Sequence, residues 1–189
     1  MASAGSLAEA LEQLRQGCEE LDLQSVGIGD EGAKELAAAF KTNKTLTELQ
    51  LYRNKIGNEG AKQLAAALKK NKTLKTLRLG ENEIGDEGAK ELAEALKTNK
   101  ALTKLQLYKN NIGNAGAEEM AMALMASQTL MSLWLNRNVI GKKGSKALGA
   151  ARDAQREALK ELFEEPPVPE HEFGEQRVSI MESNFCVIS

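Results

Sequence analysis

Histidine, cysteine and proline are nearly missing from this chain: one histidine, two cysteines and three prolines occur in 189 residues, and aromatic residues make up 4%. The lone histidine, His171, stands in a stretch without sustained periodicity, where no scaffold would hold a general base against a nucleophile. Histidine, cysteine and carboxylate do not cluster at ligand spacing, so no catalytic residue, metal site or cofactor is expected. Glycine-rich phosphate loops are missing too. A net charge of −2 gives nucleic acid no electrostatic reason to bind. No apolar run is long enough to cross a bilayer, and residues 1–6 lack the basic and hydrophobic regions of a secretory signal. Scarce cysteine and no signal together lead to the expectation of a reducing, cytoplasmic setting.

What the chain does have is self-similarity. Stretches beginning at Cys18, Leu46, Leu74, Leu102 and Leu130 follow one another every 28 residues, a period that marks a solenoid in which each unit buries its apolar face on its neighbours. In the unit from Leu74, residues Leu77 and Leu79 alternate as inward positions of a short strand. Asn82 follows at the bend, and Asn54, Asn110 and Asn138 hold the equivalent place. Their amides can satisfy backbone groups that a tight curve leaves unpaired, which predicts an asparagine ladder. Ile84 then points inward and Asp86 is the expected N-cap of a helix. Ala89, Leu92, Ala93 and Leu96 form its apolar stripe, with Lys90, Glu91, Glu94 and Lys97 on other faces. Asp30, Glu31, Asp86 and Glu87 are accordingly read as helix starts. Each unit is strand, turn and helix, and the helix returns the chain for another parallel strand.

The pattern LxxLxLxxNxIGxxGA followed by an alanine-rich helix resembles the ribonuclease-inhibitor type of leucine-rich repeat, a subclass also found in NOD-like receptors, tropomodulin-like actin caps and Ran GTPase-activating proteins. The resemblance covers roughly residues 7–163. It implies an α/β fold: a right-handed horseshoe solenoid with a parallel β-sheet on the concave face and α-helices on the convex face. It implies no shared chemistry, because architecture and function are separable. Extracellular members carry cysteine-clustered caps, which this sequence does not.

The expected organisation is an N-terminal capping helix within residues 1–17, five repeats over 18–142, a closing helix over 143–164 and a flexible tail over 165–189 that ends in a prenylation signal. In the first unit Val26 replaces the ladder asparagine. Cys18 occupies a leucine position and is expected to be a small buried hydrophobe. Met122 and Met125 fall where other units carry alanine or charge. They either pack against the next helix, the favoured expectation, or form an adaptable contact surface. In the last unit Lys142 replaces the helix cap, and Arg152 falls at an inward place. From Glu164 to Glu170 the prolines end the helix; the Pro166–Pro169 spacing fits an SH3 ligand only without its usual basic flank, and a stiff spacer suits it better.

Two stretches are candidates for function. On the concave face, Gln50, Tyr52, Arg78, Gln106, Tyr108 and Trp134 are the expected protein-binding residues, since aromatics and arginine supply interface hot spots. This face runs from Glu19, Glu20 and Asp22 at its start to Lys104, Lys109 and Arg137 toward its end, so it turns from acidic to basic. The bland alternative is a solvated surface whose aromatics shield the strands. The second candidate is the C-terminus: Cys186, Val187, Ile188 and Ser189 match C-a-a-X, and the terminal serine favours farnesyl. That motif predicts as partners a prenyltransferase, which would read Val187, Ile188 and Ser189, and a soluble prenyl-binding carrier. One lipid, worth about 0.8 kcal/mol per buried methylene, anchors only reversibly. The sequence therefore predicts a non-catalytic adaptor, cytoplasmic and weakly attached to the cytoplasmic face of a membrane. Regulation of a small GTPase, through the likeness to Ran-activating proteins, and an unlipidated soluble interaction protein are the alternatives.

Overall fold

The computed structural model describes the backbone of residues 2–163 and the side chains of residues 4–157. In chain order the elements are β1 (Ala2–Ser3), α1 (Leu7–Arg15), β2 (Glu20–Asp22), α2 (Gly29–Phe40), β3 (Glu48–Gln50) and α3 (Asn58–Leu68). They continue as β4 (Thr76–Arg78), α4 (Asp86–Thr98), β5 (Lys104–Gln106), α5 (Asn114–Ala126), β6 (Ser132–Trp134) and α6 (Lys142–Phe163). The tail from residue 165, including His171, the Pro166–Pro169 spacing and the Cys186–Ser189 signal, lies outside the described residues.

All strands pair in parallel in one six-stranded sheet of order β1 to β6. From β2 onward the register puts Leu49 beside Leu77, Leu77 beside Leu105 and Leu105 beside Leu133. The repeat length is thus the sheet register. Leu79, Ile84, Leu92 and Leu96 and their counterparts fill the space between sheet and helices and are buried throughout the middle coils. Strands stack about 4.8 Å apart whereas helices need roughly 8–10 Å, so the helical side fans out and the sheet becomes the concave wall.

Three ladders join the coils. The first is at the bend after each strand. Asn82 Oδ1 accepts from the Asn54 and Ile56 amides of the preceding coil, both at 3.0 Å, and its Nδ2 donates to Leu51 O at 2.9 Å. Asn110 and Asn138 reach back in the same way to Ile84 and Ile112. Where Val26 supplies no amide, the Val26, Gly27 and Ile28 N–H groups converge on Asn54 Oδ1. The second ladder lies at the corner between helix and strand. Asn99 Nδ2 donates to Leu68 O and Asn71 O, while its Oδ1 accepts from Ala101 and Leu102. Asn71 and Asn43 do the same one and two coils earlier.

The third ladder corrects the reading of Asp86. Gly85 is the N-cap of α4, and Asp86 is already inside the first turn. Its Oδ1 instead accepts from Gly113 N at 2.6 Å and Gly116 N at 2.9 Å, at the start of the next helix. Asp30, Asn58 and Asn114 likewise cap α3, α4 and α6. Helix N-termini carry unpaired N–H groups, and with the helices side by side the nearest free donors to the first helical side chain belong to the following coil. Lys142 holds this place in α6, where no described helix follows. Gly88 must stay small for the same contact, because an added Cβ would sit 2.9 Å from Asn58 Oδ1 and 3.0 Å from Ala61 Cβ.

The two ends differ. At the first, β1 extends the sheet and α1 packs on α2. Ser6 Oγ accepts from Glu9 N, and the Glu9 carboxylate accepts from Gly5 N at 2.7 Å, so the two side chains fix the helix start reciprocally. At the other end α6 runs on for 22 residues, against 13 in α4 and α5.

Three residue expectations change. Met122 and Met125 are not packed under the next helix; they stand 44% and 57% exposed on the outer side of α5. Arg152 is exposed rather than inward, because the described chain puts no further helix over that position of α6. Cys18 is only half-buried against the core; desolvation pushes its thiol up.

Candidate functional site

The concave wall is built from columns of residues one repeat apart. One column runs Asp22, Gln50, Arg78, Gln106 and Trp134 across β2 to β6. Gln50 and Gln106 lie on this wall but keep only 7% and 5% of their surface, which leaves a ligand little of either to touch. Arg78 is partly buried and its Nε donates to Glu48 Oε1 at 2.9 Å. Trp134 is half-buried, and its indole N–H is shielded with no hydrogen-bond acceptor among the described residues.

The aromatic column is the next one along. Tyr52 leans back one coil and its hydroxyl donates to Gln24 Oε1. Tyr108 leans back over Gly80 so closely that a Cβ there would lie 2.3–2.7 Å from ring carbons. Gly80 is therefore the floor of the Tyr108 ring. Burial pushes the Tyr108 hydroxyl pKa upward, with the Glu81 charge adding to it.

The following column carries the charge. Arg53, Glu81, Lys109 and Arg137 each adopt a left-handed backbone conformation, with φ between 51° and 60°, at a cost of roughly 1 kcal/mol or more apiece. Each is followed by a ladder asparagine, whose hydrogen bonds hold the bend. Glu81 bridges its two neighbours, accepting from Arg53 Nε at 2.9 Å and meeting Lys109 Nζ at 3.1 Å. The hydrogen bonds from Arg53 and then Lys109 hold its carboxyl below the usual range. Among the described residues Lys75, Lys104 and Arg137 have no carboxylate partner, so the uncompensated positive charge sits in the second half of the wall. Sequence spacing alone did not separate these three from the paired Arg53, Arg78 and Lys109.

Among the described residues no group of three histidine, cysteine or carboxylate side chains is placed to hold a metal ion, and no helix is long and apolar enough to cross a membrane. The asparagines of the first ladder are all consumed by backbone hydrogen bonds and serve the scaffold.

A leucine-rich-repeat family profile matches residues 19–37, 42–65, 70–93 and 98–121. No curated protein sequence matches significantly. Among solved structures the fold is similar to one described as leiomodin-1 actin-binding site 2, at 24% identity and a TM-score of 0.62, covering 82% of this chain and 94% of that one. It is also similar to a tropomodulin C-terminal domain from Caenorhabditis elegans, at 16% identity and a TM-score of 0.66, covering 82% and 98%. Period, sheet register and profile agree, and the chain folds as a leucine-rich-repeat solenoid.

Proposed function

We propose that this chain is a non-catalytic protein-binding module of the ribonuclease-inhibitor-like kind, with its partner on the concave wall, acting as an adaptor that farnesylation of Cys186 attaches reversibly to the cytoplasmic face of a membrane. The observation that carries the binding half is the pairing of half-buried Tyr108 and Trp134 with the unpartnered cations Lys75, Lys104 and Arg137 on a backbone fixed by three ladders. The half-buried aromatic rings lose little freedom on binding, and the unpaired cations select a partner with an acidic surface. The partner is expected to remain with wild-type protein in affinity capture from a eukaryotic lysate and to fall by roughly tenfold or more with Tyr108→Ala/Trp134→Ala. Equal recovery from the double variant rejects the assignment.

Actin is the first partner to test by name, because one of the solved structures sharing this fold is described as an actin-binding site. Co-sedimentation with filaments and native binding to monomers cover both of its forms.

The lipid half rests on the C-a-a-X pattern of Cys186, Val187, Ile188 and Ser189. Prenylation at Cys186 would bring in a prenyltransferase and a prenyl-binding carrier. A single lipid supports exchange between membrane and carrier rather than permanent residence. Intact-mass spectrometry of protein from eukaryotic cells should show a farnesyl adduct on Cys186 with loss of the three residues after it. An unmodified Cys186 with Ser189 in place removes this half and leaves the binding half standing.

A further inference from the structure

Each coil passes from helix to strand through a short loop, and the stacked loops form an edge between the concave wall and the outer helices. Three successive loops carry lysine in phase: Lys41 and Lys44 after α2, Lys69, Lys70 and Lys72 after α3, and Lys97 and Lys100 at the end of α4. The corner asparagines fix their register, since Asn71 Nδ2 donates to Asn43 O and Asn99 Nδ2 to Asn71 O. Lys44, Lys72 and Lys100 therefore form one column, in which Lys100 Nζ reaches Gln128 Oε1 of the next coil at 3.1 Å. Lys97 is matched by Glu94 and Glu119. The other six lysines are exposed and form no ion pair among the described residues. A helix dipole favours lysine in a last turn, which accounts for Lys41 and Lys69 but not for Lys44, Lys72 and Lys100 beyond the corner. Like charges on neighbouring strands repel, and an anionic surface laid along the edge turns that cost into attraction.

The fourth loop changes chemistry on the same edge. Met125 stands where the preceding coils put Lys69 and Lys97, and Met131 continues the column of Lys75 and Thr103, its amide donating to Thr103 O. They are 57% and 52% exposed, and Met122, one turn before Met125, extends the patch. Lysines beside exposed apolar side chains are the pattern of binding at a membrane interface. The loops over 41–47, 69–75 and 97–103 hold neither arginine nor an aromatic residue, the groups that grip nucleic acid by bidentate phosphate contact and base stacking. An acidic protein would match the lysines alone; an anionic bilayer matches both halves of the edge. We infer that this edge lies on an anionic membrane, with Lys44, Lys72 and Lys100 at the headgroups and Met125 and Met131 entering the acyl boundary. The concave wall then stands beside the membrane, free to hold its partner. The contact supplies the second signal that a single reversible lipid lacks, and it forms without that lipid.

Vesicle co-sedimentation of the full chain carrying Cys186→Ser, which cannot be prenylated, tests the inference apart from farnesylation. At about 0.1 M salt the protein should pellet with phosphatidylcholine vesicles containing about 30% phosphatidylserine and stay in solution with phosphatidylcholine alone. Lys44→Glu/Lys72→Glu/Lys100→Glu should weaken that partition roughly tenfold or more, and Lys44→Arg/Lys72→Arg/Lys100→Arg should retain it. Met125→Asp/Met131→Asp should weaken it several-fold. Lys34→Glu/Lys62→Glu/Lys90→Glu, an equal change of charge on the outer helices, should weaken it far less. Failure of the parent protein to pellet with the anionic vesicles overturns the inference. Equal losses from the two glutamate triples overturn it as well, since they would report net charge and not the edge. An unchanged methionine variant also overturns it and assigns the lysines to an acidic macromolecule.

Discussion

Asn82 makes the case for what a single residue does here. Its amide serves three stretches of backbone at once: the bend of its own coil, the strand end before it and the loop of the preceding coil. Alanine would leave those buried groups without partners, at about 1–3 kcal/mol for each one that water cannot reach. Asn82→Ala is expected to lower unfolding stability by about 3 kcal/mol or more in denaturant titration, and Asn138→Ala by clearly less, since Asn138 is only partly buried in the last described coil. Equal losses would mean that the ladder is a surface feature and not a tie between coils. This role was legible in the sequence because the asparagines recur in phase and follow the strand leucines. The part played by Asp30 and Asp86 was not: spacing places an acid at a helix start, but only packing reveals that its oxygen faces the neighbouring helix. The Asn43, Asn71 and Asn99 corner also recurs in phase, within KTNK and KKNK, and was readable by the same rule.

At the scale of elements, the strand, bend and helix of each coil follow from local pattern, whereas the relations between coils do not. Gly80 illustrates the difference. Within its own repeat it replaces a tyrosine on a strand face, which looks like a weakness; across the sheet it makes room for the Tyr108 ring. Gly80→Ala should displace that ring and cost about 1–2 kcal/mol. In a Tyr108→Ala background the same change should cost almost nothing, a coupling that a double-mutant cycle reads directly. Additive costs would show that Gly80 is needed for its backbone and not for the ring. The end elements were legible to different degrees. The first helix announces itself by Ser6 and its leucine spacing, while β1 is too short to carry any period. Met122 and Met125 misled because a helical position between two neighbours looks covered on paper, and only the fanning of the helices on the outer side exposes it.

For the whole molecule, geometry makes the two faces unequal. The wall of strands is fixed by ladders at both edges, carries the aromatic and unpaired cationic groups, and turns from acidic to basic along its length. The outer face carries helices with mixed charge and the exposed pair Met122 and Met125, a surface that competes with the wall for a partner. Leucine spacing made the solenoid readable almost entirely from sequence, and the wall's position with it; which of its charges are free came only with the ion pairs. A photo-reactive amino acid placed at Lys104 on the wall, and in a second protein at Met122 on the outer side, distinguishes the two surfaces in cells. The account predicts cross-links to another protein from position 104 and none from position 122; cross-links from position 122 alone would contradict it.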